Sequence, residues 1–146
     1  MKTAFGYNIL FRIDDGGVEK YLAGTTANTF NITPEVKESI TKADKGFKKA
    51  KVTGYGYEFS AEGLVMLAEN GDTGDELTKA DIISLTTAGG ELNFIYGGDQ
   101  DGDAVLKGKV IVTGYSENSD SENEATYSVN FRGVEAFTTD TVVVGV

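Results

Sequence analysis

Cysteine, histidine and tryptophan are all absent from this chain of 146 residues. The sequence therefore offers no disulfide, no thiolate or imidazole metal ligand, no cysteine nucleophile and no histidine general base. Proline is nearly absent, since Pro34 is the only one, whereas 19 glycines are present. This balance favours tight turns in a folded β-protein over a disordered, proline-rich linker.

Positive charge is also scarce, with 13 Lys and Arg against 23 Asp and Glu and a net charge of −10. Such acidity argues against a basic nucleic-acid footprint and against attraction to anionic lipid. No run approaches 18 apolar residues, and Asn8 and Arg12 interrupt the opening apolar segment without a cleavage site after it. We expect a single domain over 1–146, made and kept in the cytosol, with no membrane partner.

Motifs for chemistry are few and incomplete. The segment "DQDGDAVLKGKV" from Asp99 has Ala104 and Val110 where a calcium loop requires Gly and Glu, so it reads as an acidic turn. "GYGYEF" has a G-x-G step but no following helix to bind phosphate. No nucleophile elbow or paired-carboxylate motif is present. We expect no metal, no cofactor and no catalytic residues.

Alternation of apolar and polar residues predicts a mainly β protein. "TAFGYNILFRI" places every second residue, from Phe5 to Ile13, on one side, and "DDGG" supplies a hairpin turn. In "KVTGYGYEFS", Tyr55, Tyr57 and Phe59 share a side. The predicted strands cover 3–13, 18–24, 26–33, 51–60, 91–97, 104–115 and 125–133, with a long loop at 34–51.

One helix is predicted at 76–88. Thr78 and Asp81 form a capping box at its start, and Gly89-Gly90 ends it. Its expected buried stripe is Leu77, Ala80, Ile82, Ile83 and Leu85. The apolar run at 63–70 fits either a strand or a helix, and the β-branched terminus "TVVVGV" should pair within the chain or with a neighbour.

Charge is unevenly distributed between two polar segments. Segment 34–51 has six lysines against three carboxylates, whereas segment 116–124 has four carboxylates and no cation. Both segments can be solvated loops, which is the common case for charge runs. Alternatively, the lysine loop of one copy docks on the acidic face of another, a head-to-tail contact that generates rings or stacks.

The order of these features resembles the major tail tube proteins of long-tailed bacteriophages. The resemblance runs over about residues 3–137. It rests on a Phe-Asn-Ile step at residues 30–32 into the long loop, on the Gly46-Phe47 step that ends it, and on "EATYSVNFRG" from Glu124 to Gly133 after an acidic loop. The chain departs from the pattern in lacking tryptophan, which many relatives carry where Phe47 stands, and the spacer residue after Glu124.

The resemblance implies a two-sheet β-sandwich or barrel with one flanking helix, six copies per ring, and stacked rings forming a hollow tail for the genome. It implies no enzymatic activity. Its partners would be other copies, tail-tip, tape-measure and terminator proteins, and double-stranded DNA only as transiting cargo, in a virion tail assembled in the bacterial cytoplasm. The expected interface residues are Lys42, Lys45, Gly46, Phe47, Lys48, Lys49, Glu117, Asp120, Glu122, Glu124, Val142, Val143 and Val144.

Two other functions remain open from the sequence. The chain could be the tube subunit of a type VI secretion machine or a phage-like bacteriocin, which would have the same shape. It could also be a monomeric β-sandwich binding module, for which an exposed aromatic platform and the absence of self-association would be the discriminating features.

Overall fold

The computed structural model describes residues 9–15, 17–40, 42, 45–67, 76–98 and 102–142. The described part contains nine strands and one helix. The strands are β1 Leu10–Asp15, β2 Val18–Leu22, β3 Thr25–Ser39, β4 Lys49–Leu64, β5 Glu76–Leu77, β6 Leu92–Gly97, β7 Ala104–Asn118, β8 Thr126–Gly133 and β9 Thr138–Thr141, and the helix is α1 Lys79–Ala88. The prediction of a mainly β protein with one helix is confirmed.

The nine strands form one hydrogen-bonded sheet in the order β3-β4-β8-β7-β6-β1-β2-β5, with β9 paired to β7. The two predicted sheets are halves of this single sheet. They are joined because β7 pairs with β6 over residues 105–110 and with β8 over residues 110–118. A bulge between Val112 and Gly114 lies just beyond this crossing, where bulges commonly bend a strand.

The two halves of the sheet face one another across an aromatic core. Three strands separate Phe11 of β1 from Phe59 of β4 in the sheet, yet their rings lie 4.9 Å apart. Phe30 and Tyr96 make a similar contact at 5.3 Å. Contacts across so many strands require the sheet to curl round its own apolar face, which is the sandwich or barrel arrangement that the family resemblance implies.

The predicted alternation of buried and exposed residues along a strand is confirmed in β8. Tyr127, Val129 and Phe131 are buried, whereas Thr126, Asn130 and Arg132 are exposed. The first hairpin is also confirmed, because β1 and β2 pair antiparallel with Asp15 opposite Val18. Phe5 and Tyr7 of the first predicted strand lie outside the described residues.

The helix begins three residues later than predicted. Thr78 has extended backbone angles and its amide donates to the Asp81 carboxylate at 3.1 Å, so the helix starts at Lys79. Leu77 belongs instead to the short strand β5, which pairs parallel with β2. The capping pair and the left-handed Gly89 at the end are as expected.

The predicted buried stripe of the helix is only partly correct. Ile82 is buried and Leu85 is half-buried, but Ala80 and Ile83 are exposed. The helix covers the core with a narrow strip because only one side of its ten residues contacts the sheet.

The predicted loop over 34–51 is wrong at both ends. Strand β3 continues to Ser39 and strand β4 begins at Lys49, so only residues 40–48 connect them. Pro34 does not end the strand because it lies on an edge strand, where a missing backbone donor costs little. The apolar run at 63–70 ends β4 at Leu64 and continues without regular structure to Leu67; its last three residues lie outside the described part.

Candidate assembly interface

Strands β3 and β4 extend beyond the rest of the sheet as a two-stranded arm, defined here as residues 32–56. Strand β8 pairs with β4 only from Leu64 back to Glu58, so the earlier residues of β4 pair with β3 alone. No strand in the described part of the chain covers the other edge of β3. The arm therefore presents both faces and both edges to its surroundings.

One face of the arm is apolar and continues the core face of the sheet. Residues that pair directly across an antiparallel ladder share a face. Phe30 lies opposite Phe59 in the core, and the following pairs are Ile32 with Tyr57, Pro34 with Tyr55, and Val36 with Val52. Tyr55 shares a side with Tyr57 and Phe59, as predicted, but it is 74% exposed. The alternation was right, but the core ends before the strand does.

The arm ends in a sharp turn that presents an aromatic ring. Lys45 and Gly46 both have positive φ, of 52° and 85°, and the Lys45 amide donates to the Lys42 carbonyl at 3.3 Å. Gly46 is needed for this conformation and not for close packing, because a side chain there would meet no neighbouring atom. Phe47 follows directly and is 77% exposed, the largest exposure of any large apolar side chain in the described residues.

Lysines surround this turn, and they differ in their partners. Lys48 lies 3.7 Å from Glu38 across the arm, and both side chains are more than half exposed. None of the ion pairs among the described residues involves Lys42 or Lys45. Among the described residues, Lys42 and Lys45 therefore add positive charge to the tip of the arm near Phe47.

The acidic loop lies between β7 and β8, and its carboxylates have different roles. Asp120 stabilises the turn itself, because its carboxylate accepts from the Glu122 amide at 3.2 Å and from the Asn123 side chain at 3.3 Å. Glu122 and Glu124 are exposed. Two of the predicted acidic interface residues are therefore free to contact a partner without breaking a bond that holds the turn.

Glu117 belongs to a network within the chain. Its carboxylate lies 3.0 Å from the Lys79 ammonium and accepts a hydrogen bond from the Tyr115 hydroxyl at 3.1 Å. The bond from Lys79 holds the pKa of Glu117 below its ordinary value. Burial, followed by the bond to Glu117, raises the pKa of Tyr115 to about 12. This network fixes the start of α1 to β7.

An exposed apolar pair lies beside the acidic loop. Met66 and Leu67 follow the end of β4 and are 45% and 71% exposed. The Val65 amide donates to the Ala125 carbonyl at 2.9 Å, which fixes this segment to the end of the acidic loop. We call residues 65–67 and 119–125 together the acidic end.

The arm tip and the acidic end lie at opposite ends of the molecule. Ser39 pairs with Lys49 at the tip, whereas Leu64 pairs with Thr126 and Thr126 with Asn118 at the acidic end. The 16 residues of β4 connect the two ends. At about 3.3 Å per residue this strand spans roughly 50 Å.

The carboxyl-terminal segment is paired within the chain as far as it is described. Strand β9 pairs with the start of β7, and the Val142 amide donates to the Asp103 carbonyl at 2.8 Å. Val142 is half-buried. Val143 and Val144, which the sequence placed at the interface, lie outside the described residues.

A groove of about 620 Å³ lies at the root of the arm, between its apolar face and the segment after β8. Its floor includes Tyr57, whose hydroxyl donates to the Glu135 carbonyl at 2.6 Å and whose ring covers Gly133. Burial, followed by the nearby Glu135 carboxylate, raises the pKa of Tyr57. This arrangement fixes the point at which the arm leaves the sheet.

Among the described residues, no group of three or more acidic side chains is placed to hold a metal ion. The described helix is also too short to cross a membrane.

The sequence indicated the tip of the arm but not its apolar face. The sequence prediction places Val36 in the loop at 34–51, because Pro34 and the surrounding charges are typical of loops, and it places Ile32 and Val52 in strands without assigning their faces. The usable signal was the alternation of Ile32, Pro34 and Val36 with polar residues, which continues the period of the preceding strand.

Comparison by sequence finds no matching family and no matching curated protein. Comparison of structures finds several similar chains. Two come from the virion of a native gene transfer agent particle and from the tail of an empty particle refined with C6 symmetry, with TM-scores of 0.76 and 0.75, identities of 14% and 15%, and coverage of 95% of this chain and 100% of theirs.

Two further chains come from other assemblies. A chain of the SPP1 tail tube has a TM-score of 0.73 at 9% identity, with 97% of this chain and 81% of that chain covered. A chain of the anti-feeding prophage baseplate has a TM-score of 0.65 at 9% identity, with 99% of both chains covered. The chain has the fold of phage tail tube proteins.

Proposed function

We propose that this protein is the subunit of a phage tail tube, in which six copies form a ring and rings stack into a hollow tail through which the genome passes. The observation that carries the proposal is the match over 95% or more of the chain to subunits of assembled tails, one of them refined with C6 symmetry. The coverage matters because the likeness extends over nearly the whole chain and is not confined to one part of the sheet.

The arm supports self-assembly on physical grounds. A two-stranded ribbon is marginally stable in water unless something packs on it. Six of the large apolar side chains exposed in the described residues lie on this arm: Ile32, Val36, Ile40, Phe47, Val52 and Tyr55. A concentration of exposed apolar side chains marks a surface that a partner covers. In a tube, that partner is a neighbouring copy.

Charge supports a head-to-tail direction for this contact. The arm tip carries Lys42, Lys45, Lys48 and Lys49, and the acidic end carries Glu122 and Glu124 at the far end of the molecule. Opposite charge at opposite ends favours heterologous contacts, which generate rings or open stacks. In this proposal Gly46 shapes the tip, Asp120 shapes the acidic turn, and Glu117 acts within its own chain.

The polar face of the sheet is suited to line a channel for DNA. Between Glu58 and Glu62 of β4, and between Asn130 and Arg132 of β8, the outward positions are polar: Glu58, Ser60, Glu62, Asn130 and Arg132. Duplex DNA carries one negative charge per roughly 1.7 Å of its axis, so a weakly acidic wall disfavours adhesion during passage. DNA in this proposal is transiting cargo and not a bound ligand.

The role is structural, without a catalytic step or cofactor, and its location is the virion tail, assembled in the bacterial cytoplasm. Partners beyond other copies would be the tail-tip, tape-measure and terminator proteins. The likeness to the anti-feeding prophage baseplate chain supports a second candidate, a subunit of a phage-like bacteriocin or secretion machine. Both candidates require stacked rings and differ in the cargo.

The test is light scattering of the purified chain over a range of concentration and salt. We expect the mass to grow with concentration in steps of about six copies, and we expect growth to weaken at high salt, which screens exposed charges. A constant mass of one chain under all conditions would instead support a monomeric binding module, for which exposed Tyr55 could serve as the aromatic platform.

A further inference from the structure

We infer that Phe47 of one copy packs against Met66 and Leu67 of the next copy along the stack, so that the arm is anchored by an aromatic contact as well as by charge. This inference rests on the proposed function, because it names the residues that join two stacked copies. The partner is therefore a second copy of this chain.

The two apolar sites lie just beyond opposite ends of the same strand, β4. Phe47 lies two residues before the start of β4, and Met66 and Leu67 lie two and three residues after its end. A second copy displaced along the β4 direction by somewhat more than the length of that strand, which is roughly 50 Å, brings its Phe47 next to Leu67 of the first. The two apolar sites thus meet in a translation that also aligns the strands of successive copies.

Each of the two sites presents an apolar side chain that its own chain leaves exposed. Phe47 is 77% exposed, on a turn whose backbone has positive φ angles. At the other end of the molecule, Leu67 is 71% exposed, and neither residue belongs to the hydrophobic core. Both segments are fixed to the fold: the tip turn by its own hydrogen bond, and Met66 by the Lys79 amide, which donates to its carbonyl at 3.0 Å. Fixed, exposed apolar groups are suited to bury one another with little loss of conformational freedom.

The charged residues near the two apolar sites have opposite signs. Lys42 and Lys45 flank Phe47, and Glu122 and Glu124 belong to the loop whose end is bonded to the segment before Met66. An apolar centre with a ring of complementary charge is the usual anatomy of a specific interface. Charge alone would allow the arm to slide along an acidic surface, whereas the aromatic contact fixes one position.

The absence of cysteine makes a direct test possible. In the variant Phe47→Cys/Leu67→Cys the two thiols of one chain lie at opposite ends of β4, whereas a disulfide requires Cα atoms within about 7 Å. Any disulfide must therefore join different copies. The matched control is Phe47→Cys/Val134→Cys, because Val134 is also an exposed apolar residue, at 40%, but lies at the root of the arm.

Both variants are assembled under reducing conditions, imaged by electron microscopy, oxidised, and separated by denaturing electrophoresis without reductant. We expect a ladder of cross-linked chains from the Leu67 variant, at least tenfold stronger than from the Val134 control. Tubes without a ladder would overturn the aromatic contact and leave the proposed function standing. Equal ladders in both variants would also overturn it.

A second measurement covers the case in which the double variant does not assemble. The single variants Phe47→Cys and Leu67→Cys are each mixed with unmodified chain, and the two single variants are also mixed with each other, before oxidation. More cross-linked dimer in the mixture of the two single variants than in the other two mixtures supports the inference. Equal amounts of dimer in all three mixtures contradict it. Failure of the unmodified chain to assemble would remove the proposed function and the inference together.

Discussion

Reversing the charge at the arm tip should prevent stacking while leaving the chain folded. The variant Lys42→Glu/Lys45→Glu alters two exposed side chains that form no ion pair within the described part. Its control with the same change in charge is Lys107→Glu/Lys109→Glu, on β7 away from the tip, where the two lysines pair with Asp140 and Glu91 at 3.2 and 3.9 Å. Both variants carry a net charge of −14 instead of −10, so a difference between them reports position and not total charge.

The expected magnitude follows from the number of contacts. An exposed pair of opposite charges contributes roughly 0.2–1 kcal/mol. Two such contacts from each copy, in a junction of about six copies, sum to about 2–12 kcal/mol for each pair of stacked rings, and reversal replaces this attraction by repulsion of similar size. Surface replacements of this kind change folding stability by less than about 0.5 kcal/mol.

The assay pairs thermal unfolding with electron microscopy of assembled protein. We expect the tip variant to melt within about 3 °C of the unmodified chain and to form no long tubes, whereas the β7 control should still form them. Tubes of normal length from the tip variant would refute charge docking at this position. Equal loss of tubes in both variants would show that net charge, and not the tip, governs assembly.

Two further predictions concern the folded chain. Gly133→Ala should lower the free energy of unfolding by about 1–3 kcal/mol in urea titration, because a methyl group there collides with the ring of Tyr57, whereas Gly90→Ala, with open space around it, should change it by less than about 0.5 kcal/mol. Because Lys79 lowers the pKa of Glu117 in the folded chain, this pair stabilises the fold above the ordinary glutamate pKa near 4.5 and its contribution is lost as the pH falls through the lowered pKa. Melting temperatures of the unmodified chain and Glu117→Gln should therefore differ at pH 7 and converge at low pH; a pH-independent difference would contradict this role.

The sheet was largely predictable from the sequence because its strands alternate cleanly. In β8, every second residue from Tyr127 to Phe131 is buried, and this period determines both the strand and its inner face. The capping pair Thr78 and Asp81 and the terminal Gly89 were equally local signals, since each depends on neighbours a few residues away. Features that depend on local spacing were therefore predicted well.

Features that depend on distant pairing were not predictable in the same way. The length of β3 and β4 is set by their pairing with each other, and the point where the core ends is set by where β8 stops at Gly133. Nothing near Tyr55 distinguishes it from Tyr57, yet the first is exposed and the second is buried. The different roles of the acidic residues were unpredictable for the same reason, because Glu117 contacts Lys79, which is 38 positions away in the sequence.

The proposed interface residues were indicated by charge in the sequence, and the fold places them in groups with different roles. Lys42, Lys45 and Phe47 share one turn, and Glu122 and Glu124 share another at the opposite end. Their separation along one strand suits a repeating head-to-tail contact. A site for a small ligand would instead require these groups to converge.

Electron microscopy of the concentrated, unmodified chain tests the central claim most directly. We predict rings with sixfold symmetry and hollow tubes made of such rings. In these tubes the β4 strand should run from each copy toward the next. A population that remains monomeric at every concentration, or that forms closed particles without stacking, would contradict it.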